Sequence, residues 1–329
     1  MPTAITSRYI SKLLTFLNST DKLLIAFWCL LSLFSIVLHS RIPVWQFIVL
    51  ANLGACVLLC LLAFVARSGG SRVLRFMHDW AAFLLVVFTY KQLYFMIGPL
   101  HQGKDYDQVL LALDRLLLGT NPTEWLARFA NPYLTEVLQI AYSLFYVFFI
   151  VVGLELYRKK DQSRFHYFRF TVVYGFFISY IGYFFLPAVG PRFTLHDFSR
   201  IDTELPGLLL TPGLRWFINI WESIHPGVSN SIALVNAQRD VFPSGHTMMT
   251  LITLVFAYRC KLRVRHYVFC AGVLLIVATV YLRYHYFVDV LAGALLVLPC
   301  LLTTHRAYTL SGRDSDGPAR RTYLSPPAV

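Results

Sequence analysis

The sequence predicts an all-α, polytopic membrane protein with about eight transmembrane helices, and three observations carry that prediction. Hydrophobic residues make up 57% of the 329-residue chain and charged residues only 14%, at a mean hydropathy of +0.58, whereas globular domains are nearer half apolar and a quarter charged. Eight separate stretches are long and apolar enough to cross a hydrocarbon core, which takes roughly 20 residues of helix. Lys and Arg concentrate in alternate connections between those stretches, as they do in cytoplasmic loops. The basic excess, 29 Lys and Arg against 17 Asp and Glu for a net charge of +12, then faces anionic headgroups and argues against a nucleic-acid partner.

The first span, about 22–40, follows a lead carrying Arg8 and Lys12 that has no small-residue cleavage site, so it reads as an anchor and not as a removed signal peptide. With the second span, 43–66, it forms an N-terminal region, 1–76. The next six spans, about 77–99, 135–157, 167–187, 243–260, 266–283 and 285–303, form the core, 77–303. Within residues 100–134, Val109, Leu110, Leu113, Leu116 and Leu117 recur at helical spacing ahead of Asn121, Pro122 and Trp125. This predicts two short helices lying at the membrane interface. Residues 188–242, richer in Pro, Gly and polar groups, form the largest external loop. The tail, 304–329, is polar from Ser311 and expected to be disordered.

Eight spans put both termini on one side. With the termini cytoplasmic, nineteen Lys and Arg lie inside and nine outside, with Lys91 left within a span. The bias holds loop by loop, and a bacterial plasma membrane is the expected location. The six cysteines lie in or beside apolar stretches, with neither a disulfide framework nor a zinc pattern.

Three short stretches carry chemistry, and the orientation above places all three at the external face. They are Gly190-Pro191-Arg192, Pro243-Ser244-Gly245-His246 at the start of the sixth span, and Arg283-Tyr284-His285-Tyr286-Phe287-Val288-Asp289 between the seventh and eighth. Amides at a helix start are unpaired and binding there suits phosphate without a metal. Gly245 lets the backbone approach an anion, Ser244 can donate a hydroxyl, and His246 in the first turn can give a proton to a leaving oxygen. His285 and Asp289, four residues apart, share one helix face, so the carboxylate can accept from one imidazole nitrogen and leave the other as a nucleophile. Arg192 and Arg283 offer forked donors for the remaining phosphate oxygens. The reaction that suits this set is phosphoryl transfer.

PSGH followed by HxxxDVLAG resembles the second and third signature motifs of the type-2 phosphatidic acid phosphatase superfamily, whose members share a six-helix core with vanadium haloperoxidases. The resemblance covers residues 77–303. It implies His285 as a nucleophile forming a phosphohistidine, His246 as general acid, Asp289 orienting His285, and Arg192, Ser244 and Gly245 binding phosphate. The substrate implied is a lipid phosphate or phospholipid in the bilayer. The family's first motif has a lysine seven residues before its arginine, where this chain has Phe185, and its third motif has an arginine where this chain has Thr279. Arg283, one turn further on, can supply the second missing charge. The HYFVD string and the shortened first motif are similar to the inositol phosphorylceramide synthase branch, which passes a head-group phosphate to a lipid alcohol, while PSGH is closer to the hydrolytic members.

No carboxylate cluster with ligand spacing accompanies the histidines, so neither a metal nor another cofactor is expected. Lys91 lies in the third span, where a charge at the bilayer centre costs about 2.5–3.5 kcal/mol. Its ammonium either snorkels to the headgroups or points inward to replace the lysine missing at Phe185. A transporter and an inactive scaffold are the alternative functions. The clustering of polar residues at one face argues against the first, and retention of both histidines and the aspartate against the second.

Overall fold

The computed structural model describes residues 16–312 apart from Gly70, Lys160 and Pro226. The charged N-terminal lead and most of the expected disordered tail lie outside the described residues. All regular elements among the described residues are helical. In chain order they begin with α1 (Ser19–Val37), α2 (Trp45–Arg67), α3 (Arg72–His101), α4 (Asp107–Leu118), α5 (Pro122–Ala127), α6 (Pro132–Ser143), α7 (Phe145–Arg158) and α8 (Gln162–Phe185). There follow α9 (Pro191–Thr194), α10 (Ile201–Glu204), α11 (Thr211–Trp221), α12 (Asn230–Asn236), α13 (Gly245–Arg259), α14 (Arg265–Tyr281) and α15 (Phe287–Leu310).

Five of these, α1, α2, α3, α8 and α15, are long and apolar enough to cross a membrane. The expected fourth span is two helices, α6 and α7, bent by 51°, and counting the pair as one span gives six. The bend falls beside Ser143, whose hydroxyl donates to the Gln139 carbonyl at 2.8 Å, a contact that competes with the helical ladder. The helices of the expected sixth and seventh spans, α13 and α14, are shorter, at 15 and 17 residues. Some 20 residues span the hydrocarbon at 1.5 Å per residue, which is why these two fall below the length of a full crossing. At the other end α15 continues to Leu310, into the stretch expected to be tail.

The chain divides into two compact units. The first takes residues up to 100, 156–177 and those from 299; the second takes 101–155 and 178–298. In the first unit α1 starts with a reciprocal cap: Asn18 Oδ1 accepts from the Asp21 amide and Asp21 Oδ2 from the Asn18 amide, each at 2.9 Å. Some buried polar groups are matched there, as with Trp28 Nε1 donating to Thr89 Oγ1 at 2.8 Å and Arg169 paired with Asp79 at 3.2 Å. Outward-facing side chains include Leu50, 66% exposed, and Leu84, 76% exposed. Such surface is costly in water and suited to acyl chains.

In the second unit α13 is buried on nearly every side. Met248, Met249, Ile252, Thr247, Thr250 and Thr253 are all buried, so this short helix is central to its unit. A cluster of Leu138 and Tyr142 from α6, Ile201 and Leu205, and Ala278, Tyr281, Leu282 and Tyr284 packs beside it.

The stretch 100–134 forms the two short helices α4 and α5, and α4 turns its acids inward and most of its apolar stripe outward. Asp107, Leu110, Leu111 and Asp114 are buried, while Val109, Leu113, Leu116 and Leu117 are exposed, Leu116 at 80%. In water the apolar stripe would be the packed face. Here both acids have backbone donors waiting on the inside, and the leucines are left outward.

Candidate active site

Ser244 caps α13. Its Oγ accepts from the Thr247 amide at 3.2 Å and from Thr247 Oγ1 at 3.1 Å, which leaves its own O–H as a donor for an anion. The Ser244 amide, counted from sequence among those open to phosphate, donates to the Asp289 carbonyl at 3.0 Å. The first two helical amides, those of Gly245 and His246, have no acceptor within the helix. Gly245 is required by space: a Cβ there would meet Tyr183 Oη at 2.6 Å.

His246, in the first turn, lies against the rings of Tyr142 (centroids 4.7 Å apart, 23° between planes) and Phe145 (4.3 Å). Its Nδ1 is 3.4 Å from His285 Nε2. The other nitrogen of His285, Nδ1, is 3.5 Å from Asp289 Oδ2, an ion-pair distance too long for a good hydrogen bond. Asp289 Oδ2 also receives the Tyr286 amide at 2.8 Å, so the carboxylate caps α15 as well as facing the imidazole. His285 is 4% exposed and Asp289 fully buried.

Arg192 and Arg283 meet through the backbone, the Arg192 amide donating to the Arg283 carbonyl at 3.0 Å. Their guanidiniums, expected from sequence to be open to phosphate, are held by carboxylates of the stretch 188–242. Arg192 pairs with Glu222 and reaches Asn219 Oδ1 at 3.5 Å; Arg283 Nη1 donates to Glu204 Oε2 at 2.5 Å. The Arg192 guanidinium also lies 4.6 Å over the Tyr284 ring. Tyr284 stacks on Tyr142 at 4.3 Å, and Tyr142 stacks on His246. One aromatic column thus runs from the arginine to the histidine. Thr279, where the resembled pattern has arginine, is buried and accepts the Tyr284 and His285 amides through its carbonyl, each at 3.0 Å.

Two acids on α4 hold these segments in place. Asp107 accepts from the amides of Val189 (3.1 Å) and Gly190 (2.8 Å) and from Tyr286 Oη (2.9 Å). Asp114 accepts from the amides of Phe287 (2.9 Å) and Val288 (2.8 Å) at the start of α15. Burial pushes both carboxyls above the usual range, and the donated hydrogen bonds oppose the rise. At Gly190 φ is +97° and a Cβ would meet the Tyr284 carbonyl oxygen at 2.7 Å, so only glycine lets the Arg192 segment approach the Arg283 segment.

His196 sits beside the Arg283–Glu204 pair, its Nε2 3.2 Å from Thr123 Oγ1 and its Nδ1 3.9 Å from Glu204. Burial, helped by the Arg283 charge and opposed by Glu204, lowers its pKa from 6.5 to about 4. Between those values the unfolded chain binds a proton that the native chain does not, so stability falls as pH drops through this window. His196→Asn is expected to flatten that acid slope in thermal unfolding of the detergent-solubilised protein. An unchanged slope would show that His196 does not cause it.

Sequence reasoning thus named His246, His285, Asp289, Ser244, Gly245, Arg192 and Arg283, which the second unit gathers. It missed Asp107, Asp114, Glu204, Glu222, Tyr142 and Tyr284. The available signal was a pair of acids seven residues apart on an otherwise leucine-rich helix. Lys91 belongs to the first unit, partly buried on α3. Compared with known protein families, residues 108–302 match the PAP2 superfamily. Comparison with curated proteins and with solved structures gave no match.

Proposed function

The chain belongs to the PAP2 superfamily, and from that premise we propose that it is a phosphohistidine-forming enzyme acting on a lipid phosphate at the external membrane face, by hydrolysis or by transfer of a head-group phosphate to a lipid alcohol. The observation that carries this reading is the line of His246, His285 and Asp289 at the start of α13. With Nδ1–H of His285 directed at Asp289, Nε2 holds the free lone pair. Nε2 attacks phosphorus, the bond to the leaving oxygen breaks, and protonated His246 delivers its proton to that oxygen. Neutral His246 then takes a proton from water or an alcohol, whose oxygen attacks phosphorus as the P–N bond breaks. The Gly245 and His246 amides, the Ser244 hydroxyl and the two arginines bind the phosphoryl oxygens as charge builds on them.

A membrane-bound, multi-helix phosphatase-type enzyme is the family's general character. The eight-span count, the six-helix core and cytoplasmic termini are our finer reading, supported by the alternation of basic loops. Lys91 is proposed on sequence grounds alone as a cation replacing the lysine absent at Phe185.

Two tests follow from this reading. Turnover is expected to persist in excess chelator and to be inhibited by vanadate, which imitates five-coordinate phosphorus; complete loss with chelator and rescue by magnesium would contradict it. Cysteine in place of Ser199 is expected to react only with reagent added outside intact cells, and cysteine in place of Arg263 only from the cytoplasm. Labelling of position 199 from the cytoplasm would put the site on the wrong face. Lipid profiles with and without the protein separate hydrolysis from transfer.

A further inference from the structure

Helix α11 has two faces with opposite fates. Arg215, Asn219 and Glu222, spaced i, i+4 and i+7, point inward, and each is wired to the site. Asn219 and Glu222 hold the Arg192 guanidinium. Arg215, 4% exposed, donates to the Leu205 carbonyl at 3.1 Å and pairs with Asp202 at 2.5 Å. These contacts fix α10, whose Glu204 holds Arg283. Ile218 packs on the cluster that contains Tyr142 and Tyr284. The N-terminus of α11 is tied to α6 by Glu136, which accepts the Leu208 amide (2.8 Å), the Thr211 amide (3.1 Å) and the Thr211 hydroxyl (2.7 Å).

The other face carries no charge. Leu209 is 85% exposed, Trp216 54%, Phe217 59% and Ile220 43%, and the helix's ionic side chain, Arg215, is turned away. Isolated exposed apolar residues are ordinary, but Trp216, Phe217 and Ile220 on one short helix, with Leu209 just ahead of it, form a patch.

We infer that α11 lies in the headgroup and upper acyl region of the outer leaflet, and that this lipid contact sets the two phosphate-binding arginines, so that the site is fully formed only at a membrane surface. Lipid is the occupant that the surroundings favour. The helix packs along α6, the first half of a bent candidate span whose Tyr133 and Val137 are themselves 74% and 50% exposed, so the apolar face continues a surface already committed to the bilayer. Tryptophan with neighbouring phenylalanine is the composition of that boundary. An interfacial helix usually keeps a basic solvated face; here the polar face is spent on Arg192 and α10, which turns a membrane anchor into a lever on the site.

The docking arm of the test is independent of the catalytic reading. The native protein and Trp216→Phe are reconstituted in phosphatidylcholine vesicles brominated on the upper acyl carbons, and tryptophan quenching is compared. The Trp216 contribution, taken as the difference, is expected to be quenched by the bromolipid and protected from aqueous iodide. Iodide quenching without bromolipid quenching overturns the inference, as does protection from both reagents with cross-linking of two copies through position 216.

The coupling arm rests on the proposed phosphatase or transferase activity. For Trp216→Ser combined with Phe217→Ser, turnover of a lipid phosphate in vesicles is expected to fall about tenfold, the scale of partly burying one aromatic side chain. Turnover of a short water-soluble phosphate ester by the same variant in vesicles is expected to fall by a similar factor, because its phosphate needs the same two arginines, while the variant unfolds thermally as the native protein does. Loss confined to the lipid substrate, or no loss on either, overturns the coupling. If the native protein turns over neither substrate, the proposed activity fails while the quenching result still decides the docking.

Discussion

His285→Ala is expected to take turnover to background, a loss on the order of 10⁵- to 10⁶-fold, because removal of a nucleophile leaves only the residual effect of binding and oxyanion stabilisation. The imidazole is buried, at 4% exposure, with Asp289 3.5 Å from one ring nitrogen and His246 3.4 Å from the other. Incubation with a ³²P-labelled lipid phosphate followed by alkaline denaturation is expected to leave label on the native chain, as an acid-labile phosphoramidate, and none on His285→Ala. Asp289→Asn keeps an oxygen for the Tyr286 amide and so keeps the start of α15, but it loses the charge that supports the imidazole. A fall of about 10²- to 10⁴-fold with the protein still folded is expected. Labelled phosphate on His285→Ala would refute His285 as the nucleophile.

The histidines and Asp289 could be read from the sequence because each lies in a short local string, although His285 precedes the first residue of α15 and meets Asp289 across the helix start, not along one helical face as expected. Tyr142 and Tyr284, in contrast, meet across most of the core, and Asp107 reaches Tyr286 across 179 residues. Periodicity has no access to such pairings. For α4 the helical period was legible but the role of its acids was not: Asp107 and Asp114 turn inward because five donors await them there. The rule that apolar residues point inward presumes water outside, and a chain of this composition removes the presumption. The arginines show a second limit. Their positions were legible, but their pairing with Glu204 and Glu222 depends on the course of a long connection whose helices, α10 and α11, leave little hydropathy signal.

His246→Ala is expected to lower turnover of a lipid phosphate by about 10²- to 10⁴-fold, the range of a general acid or base. That loss must depend on the leaving group. An alkoxide leaving from a lipid ester needs the proton that His246 carries, whereas p-nitrophenolate leaves without one. On p-nitrophenyl phosphate the formation of the phosphohistidine is therefore expected to be nearly native in His246→Ala, while its breakdown, in which the same imidazole takes a proton from the incoming water, stays slow. A burst of p-nitrophenol equivalent to the enzyme present, followed by a slow steady rate, is the expected trace. His285→Ala has no nucleophile and is expected to give neither burst nor turnover, so the two variants separate even though their rings lie within 3.4 Å. Equal loss on both esters in His246→Ala, with no burst, would mean that the His246 ring serves to hold His285 through its stack with Tyr142 and Phe145, and that the proton comes from another group.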